Sequence, residues 1–154
     1  MKSVYLLFVT VLLFSCQQET QYHTIYDIDD YWRSAAPLEF PFEITDTAIA
    51  YTINCDLRNS SDYEWSRFFM TYTLRDSAGQ LLDSLFLEKN LFDPVTGAPE
   101  GKAGIGDLYE HEITVRKGYH FPVRGKYTIR LGQMMRTDSL TGVVSAGIRI
   151  EQPK

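Results

Sequence analysis

An all-β fold is what this sequence predicts, an antiparallel β-sandwich of jelly-roll or immunoglobulin-like type. Three observations carry that expectation. From Pro37 onward, apolar residues recur at every second position, the period of a half-buried strand. Aromatic residues make up 14% of the chain, with 10 Tyr and 9 Phe, and flat side chains fit a pleated surface. Turn-forming clusters separate the alternating runs into seven or eight short strands, the spacing of a sandwich.

The first run sets Leu38, Phe40, Phe42 and Ile44 against Glu39, Pro41, Glu43 and Thr45. Pro41 cannot donate to a ladder, so this strand belongs at a sheet edge or a bulge. Ile49, Tyr51, Ile53, Cys55 and Leu57 follow with one parity, which places Cys55 on the apolar face as a small core residue. After the turn Arg58 to Asp62, the set Phe68, Met70, Tyr72 and Leu74 leads through Asp76-Ser77-Ala78-Gly79-Gln80 into a hairpin with Leu81 to Leu87. Glu88 to Gly106 is the longest stretch without a pattern, and a loop of that length is more often functional or mobile than idle. Alternation resumes at Tyr109, His111, Ile113 and Val115, continues at Tyr127, Ile129 and Leu131, and ends with Val144, Ala146, Ile148 and Ile150. Helical turns are expected only at Asp27 to Arg33 and around Gln133 to Leu140, where the period lapses.

Ahead of the strands lies an export signal. Lys2 and the apolar run Val4 to Phe14 match the core of a secretory signal peptide and are too short to span a bilayer. Leu13-Phe14-Ser15-Cys16 resembles a bacterial lipobox, which makes Cys16 the expected site of lipid attachment. The division expected is signal peptide 1–15, lipidated cysteine and tether 16–36, and β-sandwich domain 37–154. Polar, aperiodic Gln17 to Thr24 is read as the part of the tether that lets the domain stand off the bilayer. Gln17 stands where aspartate favours inner-membrane retention, so the outer membrane is the expected site.

The length of 154 residues suits one folded domain. Its 15 Lys and Arg against 20 Asp and Glu give a charge of −5, which becomes −6 once cleavage removes Lys2. That balance, with no cluster of basic residues, excludes a nucleic-acid partner. It also leaves the lipid as the expected means of holding the membrane.

The sequence carries no recognisable catalytic motif. There is no nucleophile elbow, and Gly97 to Ala103 is one residue short of a phosphate loop. His23, His111 and His120 are scattered, so no zinc set forms by spacing and no metal or other cofactor is expected. Asp93 and Asp107 are retained only as weak candidates for a structural Ca²⁺. Trp32, Tyr63 and Trp65 lie in polar segments where an aromatic ring could stack on a sugar, giving the alternative reading of a carbohydrate-binding envelope lipoprotein with a glycan as partner. Core packing is the commoner fate of such rings.

An ordered series of short motifs spans nearly the whole mature chain. It comprises Tyr26-Asp27, Trp32, Phe40 to Ile44, Asp46-Thr47, Arg58-Asn59, Gly104-Ile105-Gly106-Asp107-Leu108-Tyr109, Phe121 to Tyr127, Gln133 to Arg136, Leu140 to Val143 and Ala146 to Glu151. Together with the lipobox, the series resembles the gliding-motility lipoprotein GldH family. One departure lies at Pro99 to Lys102, where a tryptophan is expected shortly before the glycines. The resemblance implies a non-enzymatic lipoprotein that works with other Gld-type envelope proteins, through protein–protein contact, in surface gliding. Within the series, Gly104 and Gly106 fit a backbone needing positive φ or close approach. Arg136 fits bidentate pairing with a carboxylate, first within the fold and otherwise on a partner.

Overall fold

The computed structural model describes residues 19–153; the signal peptide and Cys16 lie outside them. Eight long strands form the body: β1 Glu19–Asp27, β3 Leu38–Ile44, β4 Tyr51–Ser60, β5 Arg67–Asp76, β6 Leu81–Asn90, β8 Leu108–Tyr119, β9 Gly125–Gln133 and β11 Val143–Gln152. Three two-residue strands complete it, β2 Trp32–Arg33, β7 Lys102–Ala103 and β10 Ser139–Leu140. The sheets run β1-β11-β4-β8-β7 and β3-β9-β5-β6, with β10-β2 as a separate pair. First long strand pairs with last, second with seventh, third with sixth and fourth with fifth. This is a long antiparallel hairpin rolled into two sheets, so of the two expected sandwiches the jelly roll is the one formed.

Strand parity builds the core. Phe40, Phe42 and Ile44 of β3, Tyr51, Ile53, Cys55 and Leu57 of β4, Phe68, Met70, Tyr72 and Leu74 of β5, Tyr127, Ile129 and Leu131 of β9, and Ala146, Ile148 and Ile150 of β11 are all buried between the sheets. Pro41 lies opposite Thr128 on β3, an edge strand, where a missing N–H interrupts no second ladder. On β11 a register shift between Val143 and Ser145 turns Val143 inward in place of the expected Val144. The open sides are closed differently. Tyr22 and Tyr26 of β1 lie against Phe42 and Phe40 with ring centroids 5.6 and 4.9 Å apart. Across the other side, Arg116 of β8 donates twice to the Asp83 carboxylate of β6, both at 2.8 Å.

Two expectations are corrected. Gln17 to Thr24 reads as a tether, yet from Glu19 the chain is strand β1, paired with β11 through Asp27, so the sandwich takes in residues assigned to the linker. The alternation was hidden because β1 is an edge strand whose outward positions include His23 and Ile25 opposite Arg149 and Gly147. The two lapses of period hold no helix. Trp32 and Arg33 pair instead with Leu140 and Ser139, too few residues for either period to register. Among the described residues no helix is long and apolar enough to cross a membrane.

The sandwich has two poles. The near pole carries the start of β1, the ends of β3, β4 and β8 that meet at Ile44, Tyr51 and Tyr119, and the start of β9. It is plugged by Phe121, whose ring lies 4.9 to 5.7 Å from those of Tyr119, Tyr127, Tyr51 and Phe42. At the far pole the chain packs backbone on backbone. Gly142 has φ +79°, and a Cβ there would sit 2.6 Å from the Tyr63 Cα, while its carbonyl accepts from Ser60 N at 2.9 Å. Gly142→Ala is therefore expected to cost about 2–4 kcal/mol in denaturant melts, from positive φ plus the clash. Gly79→Ala, at φ +81° with nothing within 4 Å, isolates the conformational part at about 1 kcal/mol.

Candidate functional site

At the far pole the outer face of the four-stranded sheet carries an apolar group beside the exposed Arg67–Glu88 ion pair. On β5, Phe69 points away from the core because its neighbours Phe68 and Met70 point into it. Its ring stacks on Phe86 of β6 with centroids 5.8 Å apart. Beyond β9 the chain stays alongside β5, with Met134 N donating to the Phe69 carbonyl at 2.9 Å. Trp65, Phe69, Phe86, Met134, Met135 and Arg136 thus line one concavity of about 390 Å³. Trp65 is 37%, Met134 51% and Phe86 61% exposed. Single exposed apolar residues are ordinary, whereas these form a contiguous group with a cation beside it, a composition shared with the cores of protein interfaces.

Arg136 corrects its first expectation. The guanidinium is exposed, and no ion pair among the described residues includes it. Internal pairing is absent there because Arg136 follows the last β9 residue, Gln133, and leaves along the rim.

Trp32 and Tyr63 are part of the core, at 2% and 4% exposure. Trp32 Nε1 donates to the Ala36 carbonyl at 3.2 Å, and its ring lies 6.0 Å from Phe68. The Tyr63 hydroxyl donates to the Arg67 carbonyl at 2.8 Å, and burial pushes its pKa up. Neither ring presents a face to a sugar. Trp65, set edge-on to Tyr63 at 5.5 Å, is the one of the three that reaches the surface. Gly104, Gly106 and Asp107 form the turn between β7 and β8. Gly104 N donates to the Leu108 carbonyl at 2.9 Å, Gly106 has φ +73°, and the Asp107 carbonyl accepts from Ser61 N at 3.0 Å. Their place is structural, tying two far-pole turns together, and they do not line the concavity. Asp93 caps its own turn, accepting from Thr96 N at 2.7 Å and Val95 N at 2.9 Å, bonds that hold its carboxyl below the usual range.

A second feature was not predicted. Alternation turns Arg149 and Glu151 of β11 outward, next to Asn54 and Asp56 of β4 and Glu112 of β8. The Arg149 guanidinium grips Asp56 with two bonds of 3.0 and 3.2 Å, donates to Glu151 at 2.7 Å, and also bonds Glu112. Asn54 Nδ2 donates to the second Glu151 oxygen at 2.8 Å, and His23 Nε2 lies 3.2 Å from Asp56. Asp56 bonding first, with Glu112 and Glu151 adding, raises the Arg149 pKa. This network floors an open cleft of about 230 Å³. Its sequence signal is the outward parity of Gly147, Arg149 and Glu151. Only pairing with β4 and β8 makes a cluster of it.

His111 faces the other way, inward, with Nε2 2.8 Å from Asn59 Oδ1. Burial, with Lys89 adding, pushes its pKa down to about 4. Burial also pushes the Cys55 thiol up, away from the thiolate needed for nucleophilic chemistry. Among the described residues no three His, Cys, Asp or Glu side chains stand where they could hold a metal ion.

Fold and site define a class, a single-domain jelly roll with a charged lattice on one outer face and an apolar concavity on the other. Within that class, the profile described as GldH lipoprotein matches residues 20–150, and the chain belongs to that family. It is 26% identical to a gliding motility lipoprotein GldH homolog of Christiangramia forsetii, over 97% of this chain and 95% of that protein. It is 22% identical to gliding motility lipoprotein GldH of Flavobacterium johnsoniae, over 96% and 94%. Among solved structures, the infectious bursal disease virus VP2 subviral particle aligns at 12% identity and a TM-score of 0.39, over 87% of this chain and 33% of that one.

The His111 environment has a pH consequence. In the unfolded chain the imidazole titrates near 6.5, so between that value and about 4 the unfolded state binds more protons than the folded one. Its stabilisation is complete above about 6.5 and is lost as pH falls toward about 4. His111→Gln, which keeps an amide for Asn59, removes that slope. Melts taken from about pH 7 down to about pH 4 should show the wild type losing roughly 2 kcal/mol more than the variant.

Proposed function

We propose that this chain is a non-enzymatic lipoprotein, acylated at Cys16 and held on the outer membrane, that supports gliding motility or its associated envelope machinery by binding another envelope protein. The observation that carries this reading is the far-pole concavity, where Trp65, Phe69, Phe86, Met134 and Met135 surround an apolar hollow and Arg136 stands unpaired at its rim. Trp, Phe, Met and Arg are the residue types enriched in the cores of protein interfaces. The partner chemistry that fits is an apolar side chain with a carboxylate beside it, the first filling the hollow and the second meeting the guanidinium bidentately. The two curated relatives, both named as gliding motility lipoproteins, support the process. Gln17 after Cys16 supports the outer membrane, and the two or more acyl chains of a lipoprotein supply stable anchoring.

The test is photo-crosslinking in native membranes from a reactive residue at Met134, with one at exposed Thr114 on the other sheet as control. A discrete envelope protein should be captured from Met134 and not from Thr114. Phe86→Ala should weaken capture by roughly tenfold or more, as for an interface hot spot. Arg136→Glu should abolish capture and spreading while leaving protein levels unchanged, and a Lys replacing the partner's carboxylate should restore both. Recovery of the monomer alone from Met134 would contradict the reading.

A further inference from the structure

The charge of −5 describes the chain and not its ends. Exposed carboxylates gather at the far pole, with Asp29, Asp30, Asp62, Glu64, Asp107 and Asp138 all on its turns. At the near pole the segment Lys117 to Lys126 contains no acid and presents Lys117, His120, Arg124 and Lys126 to solvent, with Val123 61% exposed between them. No ion pair among the described residues engages Lys117, Arg124 or Lys126. The acids sharing this pole are Glu19 at the start of β1, Glu43, opposite Lys126, Glu151, which is bonded by Arg149 and Asn54, and the turn residues Asp46 and Asp76. Both aspartates are already accepting bonds from their own turns, Asp46 from Ala48 N and Asp76 from Ala78 N and Gln80 N, each at 2.9 Å.

The basic segment is held in shape. Phe121 anchors it in the aromatic plug, and the Tyr127 hydroxyl bonds Val123 on both sides, donating to its carbonyl and accepting from its N–H at 3.3 Å. A loop pinned at its base presents its tip without paying an ordering cost on contact. Position supplies the occupant. β1 begins at Glu19, three residues after Cys16, and three extended residues reach only about 10 Å. That is one Debye length at about 0.1 M salt, so near-pole charges feel an anionic headgroup layer. The nine residues of β1 carry the far-pole acids about 30 Å further away, where they are screened.

From this placement we propose that Lys117, Arg124 and Lys126, with Val123 at the tip, form a membrane-contact surface for anionic phospholipid headgroups, seating the near pole on the bilayer and turning the far pole away from it. The inference rests on the reading of Cys16 as the lipid anchor. It reverses the expectation that only the lipid holds the membrane, because the local cations, not the net charge, face the headgroups.

The test uses the mature acylated protein in vesicles of phosphatidylcholine with or without phosphatidylglycerol, containing brominated acyl chains that quench nearby tryptophan. Trp32 and Trp65, the two natural tryptophans, both lie at the far pole, so the wild type should show no quenching. Val123→Trp should be quenched on phosphatidylglycerol vesicles, and the signal should be lost when Lys117→Glu, Arg124→Glu and Lys126→Glu are added. A basic residue at an anionic surface is worth roughly fivefold in partitioning, so three amount to roughly a hundredfold. Flotation with the vesicles but no quenching of the introduced tryptophan would overturn the contact alone. Equal quenching on pure phosphatidylcholine, unaffected by the triple variant, would overturn the headgroup specificity. Failure to float would overturn the anchor reading, and this inference with it.

Discussion

The pairing of β1 with β11 is the constraint on which the rest of the molecule depends. β11 is central, flanked by β1 on one side and β4 on the other, so removing β1 would bare the edge of the strand that carries Ala146, Ile148 and Ile150 into the core. The approach is close. A Cβ on Gly147 would sit 2.7 Å from both Ile25 Cγ1 and the Thr24 carbonyl, so only glycine lets β1 lie against β11 at that point. The same pairing settles His23 beside Asp56 and starts the strand three residues after Cys16. An N-terminus that looks like a linker is thus a structural strand, and it gives the sandwich a near end and a far end.

Between those ends the charged lattice around Arg149 is best understood as stiffening. Its guanidinium makes four hydrogen bonds to three carboxylates drawn from three strands, which commits most of its donors within the fold and ties β4, β8 and β11 across their outer face. A partly buried network of this kind adds registry more than net stability, since desolvation offsets much of the Coulomb gain. The concavity on the opposite sheet has the complementary character, with apolar surface exposed and a cation unpaired. The paired strands then set roughly 30 Å between the basic segment of the near pole and the concavity of the far pole.

The strands were legible in the sequence wherever a strand has one face in the core and one in water, as β3, β4, β5 and β9 do. Parity places Cys55 inside, and the N–H that Pro41 lacks places its strand at an edge, where β3 lies. Legibility failed where that condition fails. β1 is an edge strand with a mixed face, and β2 and β10 are two residues each. Of the candidate site residues, Trp65 and Arg136 come together although 71 positions apart in the chain. Trp32 and Tyr63 lie behind them in the core, since short irregular segments carry no period from which burial can be read. The Arg149 lattice and the polar division of charge are products of strand order, which composition and spacing do not encode.

Amide hydrogen exchange on the mature protein, anchored in its membrane, tests the central claim most directly. If β1 is an integral strand, the amides of Thr20 to Asp27 that donate to β11 exchange only through openings comparable to those of the sheet it belongs to, and their protection approaches that of the β4–β11 ladder. Exchange of those amides at the rate of a free peptide, with β4 and β11 protected, would contradict it, because the segment would then be a tether and the domain would have no fixed near pole.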